Sequence, residues 1–337
     1  MKVLVTGAQG FIGRYLCAHL LACGHEVVGL GRSPETEGFT HHVGWAGRQV
    51  AAPLPRAMQP LFRSSAYRYR ALDLTDAEAL ADSLDGAGFE VIYHLAGALR
   101  DSPIDQLVRS NIVASQLLFD AAAGVPVPPR IVFGSSGSVT GALPEALLPV
   151  RADRAQAVQP VDPYAVTKRA AEDLAVVAQR QHDLQIVTGR IFAVMGPGQE
   201  ERHLCGHLAR QFAERRAGLS EAEIAVGPLT VTRDFVDVRD VAAQLALLGE
   251  TAAPPDLCNI ASGRETPTAE VFRTLKALTG DVSELAPSGP GRRLELGRSV
   301  ADISALAGLG FAPAYDLERS LSDLLDWYLV EVAEAAG

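Results

Sequence analysis

The sequence contains few cysteines and lacks a long apolar run. Its four cysteines show no C-x-x-C spacing: they are Cys17, Cys23, Cys205 and Cys258. Scattered cysteines are typical of reduced thiols in a cytoplasm rather than of a disulfide framework. No segment of about 18 consecutive apolar residues is present, and the first residues predict a strand instead of a charged and then apolar leader. These absences predict a soluble, cytoplasmic protein that does not span a membrane.

Concentrated positive charge is also missing. The chain of 337 residues carries 30 basic and 40 acidic side chains, a net charge of -10, and no run of five basic residues. This composition argues against nucleic acid or an anionic membrane as a partner, and a phosphorylated ligand would need positive charge supplied locally. The length is sufficient for one large domain or two smaller ones.

A glycine triplet near the start of the chain is the most informative motif. Three glycines in G-x-x-G-x-x-G spacing follow a short apolar segment: Gly7, Gly10 and Gly13. Residues 2 to 6 predict a buried strand, and Ile12, Leu16 and Leu20 then recur at helical spacing. Free N–H groups and the helix dipole meet at such a junction, and glycine lets a pyrophosphate approach the main chain. The segment predicts a dinucleotide-binding loop; the alternative is an ordinary strand, turn and helix.

The residue after the second predicted strand indicates which dinucleotide is bound. Residues 25 to 31 (HEVVGLG) predict this strand, and Arg32 and Ser33 follow it where an acidic residue would hold a ribose 2'-hydroxyl. No carboxylate is present there to repel a 2'-phosphate, and the Arg32 guanidinium is placed to pair with one. The pattern favours NADP over NAD; the alternative is that Arg32 is a solvated surface residue.

Strands and helices alternate through the first half of the chain. Further strands are predicted at 67–72, 90–95 and 131–133, and a helix at 103–123, whereas 34–66 reads as a long loop. Alternation predicts a parallel sheet with helices on both faces and ligands at the carboxyl ends of the strands. The fold class is therefore α/β, a Rossmann-like doubly wound parallel sheet followed by a smaller C-terminal α/β substrate-binding domain.

The predicted domain boundary lies near residue 190. Residues 1–190 form the dinucleotide-binding domain, and 191–337 mainly the substrate-binding domain, with 231–253 and 257–260 as candidates to return to the first. A metal site is not predicted, because His203 and His207 have no third ligand in view.

A tyrosine and a lysine suggest the chemistry. Tyr164 and Lys168 are four residues apart on a predicted helix, so they share one face, and Ser136 follows the strand at 131–133. A tyrosine normally titrates near ~10, and a neighbouring ammonium is expected to lower this pKa so that the phenol can act as a general acid or base. The Ser136 hydroxyl can bond to the same substrate oxygen. Alone, such a pair is more often a solvated helix face.

These motifs together resemble the extended short-chain dehydrogenase/reductases. The family's T-G-x-x-G-F-x-G signature is matched by residues 6–13 and its Ser/Tyr/Lys triad by Ser136, Tyr164 and Lys168. Its R-x-F-N-x-x-G-P-G-Q and RDF-x-x-V-x-D segments are similar to 190–199 and 233–240.

The resemblance implies roles for further residues. Asn111 corresponds to the family's active-site asparagine, and Ser136, Ser138, Arg233 and Arg292 (or its neighbour Arg293) would contact the substrate. The implied cofactor-binding residues are Gly7, Gln9, Gly10, Phe11, Ile12, Gly13, Arg32, Ser33, Asp73, Leu74, Leu95, Ala96, Gly97, Tyr164, Lys168 and Ile191. The family usually forms homodimers through two helices, which here would be 103–123 and 160–180.

Departures from the family pattern narrow the expected activity. Members that dehydrate nucleotide sugars carry Asp-Glu after the active Ser/Thr, whereas Gly137 and Ser138 stand here. The stretch 135–240 resembles most the GDP-4-keto-6-deoxy-D-mannose reductases and related 4-ketoreductases, which implies NADPH-dependent reduction of a nucleotide-activated 4-keto-6-deoxyhexose. Two alternatives remain: a nucleotide-sugar 4-epimerase with tightly bound NAD(P), and a non-catalytic NADP-sensing regulator.

Overall fold

A computed structural model of the chain describes residues 1–34, 41–45, 48–52, 55–153, 160–227, 229–282, 285–287 and 297–336. The strands are β1 (Lys2–Thr6), β2 (Glu26–Gly31), β3 (His41–Trp45), β4 (Arg48–Ala52), β5 (Tyr67–Ala71), β6 (Val91–His94), β7 (Arg130–Ser136), β8 (Ile186–Ile191), β9 (Ala193–Met195), β10 (Ile224–Val226), β11 (Thr232–Arg233), β12 (Phe235–Asp237), β13 (Leu257–Ile260), β14 (Thr266–Pro267) and β15 (Leu285–Pro287). The helices are α1 (Phe11–Ala22), α2 (Gln59–Phe62), α3 (Ala77–Leu84), α4 (Ile104–Leu107), α5 (Ala114–Ala123), α6 (Pro163–His182), α7 (Leu204–Arg216), α8 (Val238–Glu250), α9 (Thr268–Thr279), α10 (Ser304–Gly308) and α11 (Leu317–Ala336).

Seven parallel strands form the main sheet in the order β13-β8-β7-β6-β1-β2-β5. The order reverses between β1 and β6, and a crevice at the carboxyl ends of the strands opens at such a reversal. The doubly wound α/β fold predicted from the sequence is confirmed. β13 is an edge strand of this sheet, although it follows the first C-terminal elements in the chain.

Alternate residues of β1 enter two different cores. Val3 and Val5 pack with α1 and α8 on one face of the sheet, and Leu4 packs with α3, α5 and α6 on the other. Because side chains of a strand alternate between faces, a strand covered on both sides must be apolar throughout, as this one is. The helices on both faces hold the carboxyl ends of the strands in a fixed arrangement.

The C-terminal elements build a smaller core of their own. Helices α7, α9 and α11 pack together around Phe212, Phe272 and Leu321. Short two-stranded sheets, β9/β12, β11/β14 and β10/β15, accompany them. Asp316 begins α11, since its carboxylate accepts a hydrogen bond from Arg319 N at 2.8 Å. No helix in the described ranges is both long and apolar enough to cross a bilayer.

Three local predictions differ from the structure. The predicted helix at 103–123 is α4, a π-helical turn at Val108–Val113 and α5 in succession. The segment 34–66, predicted as a loop, contains the antiparallel pair β3/β4 and helix α2. The motif Thr75-x-x-Glu78 predicts a capping box that begins a helix at Thr75, whereas the N-cap of α3 is Asp76, because the Thr75 hydroxyl and N–H both donate to Asp73.

Candidate active site

Two glycines of the turn after β1, Gly7 and Gly13, leave no room for a side chain. Gly7 has φ +71°, and a Cβ there would lie 2.8 Å from the backbone nitrogen of Ala96. A Cβ on Gly13 would lie 2.1 Å from the carbonyl oxygen of Gly7. The first turn of α1 therefore lies directly against the loop, and no side chain caps the N-terminus of this helix. This is the arrangement that accommodates a pyrophosphate.

The remaining residues predicted in this loop lie around the same turn. Gly10 is exposed and is the N-cap of α1, whereas Phe11 and Ile12 are half-buried in its first turn. The Gln9 amide donates to the carbonyl of Pro34 at 3.3 Å, which connects the glycine loop to the segment after β2.

Two arginines flank Asp73 at the end of β5. Arg32 and Ser33 are exposed immediately after β2. The hydrogen bond from Thr75 N is the main cause of a lowered pKa of the Asp73 carboxyl, with smaller contributions from the charges of Arg32 and Arg109. Arg109 donates to the Thr75 hydroxyl at 3.2 Å. No local motif marks Arg109, because it lies in the π-helical turn, far along the chain from Asp73.

Four of the predicted cofactor-binding residues follow the ends of β5 and β6: Leu74, Leu95, Ala96 and Gly97. Leu74 is buried, Leu95 and Ala96 are half-buried, and Gly97 is exposed. The Ala96 N–H donates to the Thr6 hydroxyl at 3.2 Å, so the loop after β6 is fixed to the end of β1.

A buried chain of hydrogen bonds runs from β1 to the π-helical turn. The Thr6 hydroxyl lies 2.8 Å from Nδ1 of His94, whose Nε2 lies 3.0 Å from the Ser115 hydroxyl. Ser115 donates to the carbonyl of Asn111 at 2.8 Å. Burial, together with the positive charge of Lys168, lowers the pKa of His94 to about 3, so its imidazole is neutral. His94 is thus a structural link between β1 and the helical segment that carries Asn111.

Asn111 joins the loop after β6 to helix α6. Its Oδ1 accepts a hydrogen bond from Ala98 N at 2.8 Å, and its Nδ2 donates to the Thr167 hydroxyl at 3.0 Å. Thr167 in turn donates to the carbonyl of Tyr164 at 2.9 Å. π-helical turns occur frequently at functional sites. Asn111 is the buried side chain of this turn.

Helix α6 carries Tyr164 and Lys168 on one face. Asp162 caps the helix by accepting a hydrogen bond from Ala165 N at 2.8 Å, and Pro163 occupies the first helical position. The Tyr164 hydroxyl is hydrogen-bonded to the Ser136 side chain. The Ser136 and Ser138 hydroxyls are 3.0 Å apart. The structure therefore brings together residues that lie 28 positions apart in the sequence.

The acidity of Tyr164 differs from the prediction. Burial raises the pKa of the phenol, and the hydrogen bond with Ser136 and the charge of Arg100 only partly oppose this. The predicted net lowering by Lys168 is wrong for this structure, because desolvation of the phenolate outweighs the charges nearby. The Lys168 ammonium instead donates to the carbonyl of Gly134 at 2.8 Å. A phenol with a raised pKa stays protonated at neutral pH.

Arg100 is a second cation beside Tyr164. Its guanidinium carbon lies 5.5 Å from the centre of the Tyr164 ring, and its guanidinium also pairs with the Asp162 carboxylate. A cation over an aromatic face is attracted by the ring and favours the phenolate over the phenol. Arg100 lies on the loop after β6, 64 positions before Tyr164, and no local motif marks it.

The position after Ser136 has no room for an acidic side chain. A Cβ on Gly137 would lie 2.9 Å from the Phe192 ring, just beyond the end of β8. The aspartate that dehydrating members of the family carry at this position would therefore collide with Phe192. Ile191, the last residue of β8, is half-buried and packs against the core beneath the crevice.

The residues predicted to hold the substrate are only partly described. Arg233 lies in β11, half-buried, and its guanidinium donates to the carbonyl of Thr232 at 2.7 Å. The adjacent Asp234 is buried and accepts hydrogen bonds from the backbone N–H groups of Ser262, Gly263 and Ala301. This carboxylate fixes the Arg233 segment to the C-terminal elements. Arg292 and Arg293 lie outside the described residues.

Within the described ranges, no three His, Cys, Asp or Glu side chains are grouped to hold a metal ion.

This fold and this site are those of the extended short-chain dehydrogenase/reductases. They combine a glycine turn, a parallel sheet and the side chains of Ser136, Tyr164 and Lys168. The model of the NAD dependent epimerase/dehydratase family matches residues 3–261, and the chain belongs to this family.

Relatives of known name cover nearly the whole chain. It is 28% identical to a dTDP-6-deoxy-L-talose 4-dehydrogenase (NAD(P)(+)) from Kitasatospora kifunensis, over 96% of this chain and 94% of that protein. It is 29% identical to a GDP-6-deoxy-D-mannose reductase from Pseudomonas aeruginosa, over 97% of both. The crystal structure of a UDP-glucuronic acid 4-epimerase mutant from Bacillus cereus, in complex with a fluorinated UDP-glucuronic acid and NAD, matches with a TM-score of 0.78 and 25% identity. That match covers 97% of this chain and 99% of the other.

Proposed function

We propose that the protein is an NADPH-dependent oxidoreductase that reduces the 4-keto group of a nucleotide-activated 4-keto-6-deoxyhexose. The observation that carries the proposal is the hydrogen bond between Ser136 and Tyr164, with Lys168 one helical turn away and the glycine turn at the same edge of the sheet. Two of the relatives above are named for chemistry at C4 of a 6-deoxyhexose or for reduction of one. The exclusion of a side chain at Gly137 supports reduction over dehydration.

The dinucleotide would be held by residues that already fit it. The Gly7–Gly13 turn would take the pyrophosphate, Arg32 the 2'-phosphate and the loop after β6 the nicotinamide half. When bound, NADPH supplies the hydride for C4. Lys168, whose ammonium already donates to Gly134, would donate to the nicotinamide ribose.

Side chains of the protein would supply the proton that O4 takes up. Tyr164 would donate its phenolic proton to O4 as negative charge develops there, and Ser136 would hold the same oxygen through a hydrogen bond. The raised pKa of Tyr164 suits this direction, because the donor remains protonated at neutral pH. An alkoxide is a far stronger base than a phenolate, so the transfer is downhill. Arg100 would stabilise the phenolate that remains.

The substrate side of the proposal rests on arginines. An acidic protein that binds a diphosphate has to supply positive charge locally, and guanidinium groups pair with phosphate oxygens bidentately. We assign this role to Arg233 and Arg292, with Ser138 beside Ser136 at the sugar.

The direct test is consumption of NADPH in an absorbance assay with GDP-4-keto-6-deoxymannose and its dTDP counterpart. Oxidation of NADPH that depends on one of these sugars is expected; no consumption with either contradicts the proposal.

The second candidate, a 4-epimerase, is favoured by the structural likeness to a UDP-glucuronic acid 4-epimerase. Cofactor that stays bound through purification, with interconversion of epimers in the absence of added NADPH, would select it instead.

Replacing Arg32 is expected to change cofactor preference. In Arg32→Leu the guanidinium partner of the 2'-phosphate is lost, and a charge-assisted hydrogen bond of about 1.5–3 kcal/mol predicts roughly a tenfold or greater rise in the Kd for NADPH. The Kd for NADH, which has no 2'-phosphate, should stay unchanged. Fluorescence titration with both nucleotides measures this. Arg68→Leu, an exposed arginine on neighbouring β5, is the control for net charge. Equal weakening of NADPH and NADH would contradict the role.

The two helical segments predicted to form a dimer present an apolar surface. Five of the twelve large hydrophobic side chains exposed in the described part of the chain lie on them: Ile104, Val108, Val113, Val166 and Val177. The π-helical turn and α4 pack beside α6, so these side chains lie on neighbouring elements. We propose that a second copy of this chain covers this surface, since large apolar side chains exposed together on neighbouring elements are typical of an interaction site.

Charge on this surface is expected to separate the dimer. In the double variant Val113→Glu/Val177→Glu, two-fold symmetry places four carboxylates in one apolar interface, and desolvating them should shift the protein from dimer to monomer at micromolar concentration. Sedimentation velocity measures the mass. Val330→Glu, an equally exposed valine on α11, should leave the mass unchanged. A monomeric wild-type protein would refute the proposal at once.

A further inference from the structure

Glu172 is a buried carboxylate one helical turn beyond Lys168. Its side chain is 1% exposed, and three donors surround it. The Ser135 hydroxyl donates to Oε1 at 2.6 Å, Arg190 Nε donates to the same oxygen at 3.0 Å, and Arg190 Nη2 donates to Oε2 at 2.8 Å. A carboxylate taken out of water needs such partners to remain ionised.

The partners of Glu172 belong to the two strands beneath the active site. Ser135 in β7 is paired in register with Arg190 in β8, and the next residue of β7 is Ser136. The Arg190 side chain is fully buried. Replacing a buried ion pair by apolar residues is often neutral or stabilising, so stability alone is a weak reason for this one. Its position, between the helix of Lys168 and the strand end of Ser136, suggests a role in the site.

Lys168 is itself buried and depends on its surroundings for its charge. On its own helix Lys168 faces Tyr164 and Glu172. The neutral His94 faces it from β6, and the Gly134 carbonyl and the Phe133 ring face it from β7. Arg190 of β8 lies behind Glu172. Burial lowers the pKa of Lys168 to about 8, and the Glu172 carboxylate acts in the opposite direction. Among the ionisable groups that face Lys168, Glu172 is thus the carboxylate that favours the ammonium.

We propose that Glu172 is a positioning residue of the active site, whose buried carboxylate keeps Lys168 in its ammonium form and fixes α6 to the ends of β7 and β8. Only the ammonium has three donors, one for the Gly134 carbonyl and two free for a ribose diol, whereas a neutral amine has two donors. Arg190 and Ser135 hold the carboxylate in place. The consequence for turnover rests on the proposed function; the effect of Glu172 on Lys168 does not.

The test is direct titration of Lys168 in the full-length protein. The chain has three lysines, Lys2, Lys168 and Lys276, so incorporation of 13Cε-labelled lysine gives three signals whose shifts report ionisation. Lys168→Arg assigns the buried one, and the other two serve as internal references. The wild-type protein is compared with Glu172→Gln and with Glu172→Gln/Arg190→Met, which removes both buried charges and so avoids an unpaired guanidinium. Ser135→Ala removes a hydrogen bond to Glu172 without changing any charge.

The expected result is a pKa of Lys168 that falls by about one unit or more in Glu172→Gln, since an opposite charge nearby shifts a pKa by 1–3 units. The double variant should show a smaller fall in the same direction, and Ser135→Ala no comparable change. An unchanged Lys168 pKa in the folded double variant overturns the proposal, as does a wild-type Lys168 that is neutral at pH 7. If Glu172→Gln does not fold, the double variant decides.

A second measurement connects the titration to turnover. If the proposed reaction is correct, the alkaline limb of the pH profile of kcat shifts to lower pH in the double variant, together with the Lys168 pKa. When the pH is lowered to 6.5, the kcat of the double variant approaches the wild-type value. Because the NMR titration needs no substrate, an inactive wild-type protein with the expected Lys168 shifts would refute the proposed function and leave this inference standing.

Discussion

Tyr164→Phe is expected to lower the rate of NADPH-dependent ketone reduction by about 10²- to 10⁴-fold, the usual contribution of a positioned general acid. The substitution removes the phenolic proton and the hydrogen bond to Ser136 but retains the ring under Arg100. Single-turnover measurements with 4-keto substrate isolate the chemical step from product release. Binding of NADPH should change little, because the glycine turn and Arg32 are untouched.

Tyr93→Phe is the matched control for this variant. Tyr93 is a buried tyrosine of β6 whose hydroxyl donates to the carbonyl of Ala246 over a long distance, 3.5 Å. Its loss should therefore leave turnover near the wild-type rate. A Tyr164→Phe enzyme that keeps more than about a tenth of wild-type activity would remove Tyr164 from its assigned role, and with it the proposed mechanism.

Gly13→Ala is expected to weaken cofactor binding strongly. The new methyl group would lie 2.1 Å from the carbonyl oxygen of Gly7, and because the atoms that it meets are backbone atoms of Gly7 and Ala8, no side-chain movement can relieve the collision. Overpacking of this kind costs about 1–3 kcal/mol, which corresponds to up to roughly a hundredfold rise in the Kd for NADPH if the cost falls on the loop. Fluorescence titration measures the Kd, and thermal unfolding measures any part of the cost that falls on the fold.

Gly124→Ala separates this effect from a general loss of glycine. Gly124 ends α5 with ordinary φ, and a Cβ there would lie 3.5 Å from its nearest neighbour, the carbonyl oxygen of Ala121. It should bind NADPH as the wild type does. Unchanged NADPH affinity in Gly13→Ala would mean that the pyrophosphate is held elsewhere.

Features that depend on near neighbours in the chain were predictable. The glycine turn needs only the strand before it and the helix after it, and the Tyr164–Lys168 pair needs only helical spacing. Alternation of strands and helices was sufficient for the doubly wound sheet. In each case the physical cause lies within about ten residues, so the pattern of residue types carries it.

Features that depend on distant partners were not predictable. The π-helical turn around Asn111 is associated with hydrogen bonds to Ala98, in the loop after β6, and to Thr167 on α6. The pKa of Tyr164 was given the wrong direction because burial, which a sequence does not display, outweighs the nearby charges. Arg100 and Arg109 reach the site from loops and turns with no motif of their own. Such residues become visible only when the sheet brings their partners together.

The contact between Gly137 and Phe192 constrains how this scaffold could evolve. A lineage that acquired an aspartate at position 137 before shrinking Phe192 would first pass through a crowded and destabilised intermediate, since the methylene alone would meet the aromatic ring at 2.9 Å. The reverse order, a smaller residue at 192 first, would leave a void beside Ser136. Either first step is penalised alone, so new chemistry at this strand end requires both replacements together.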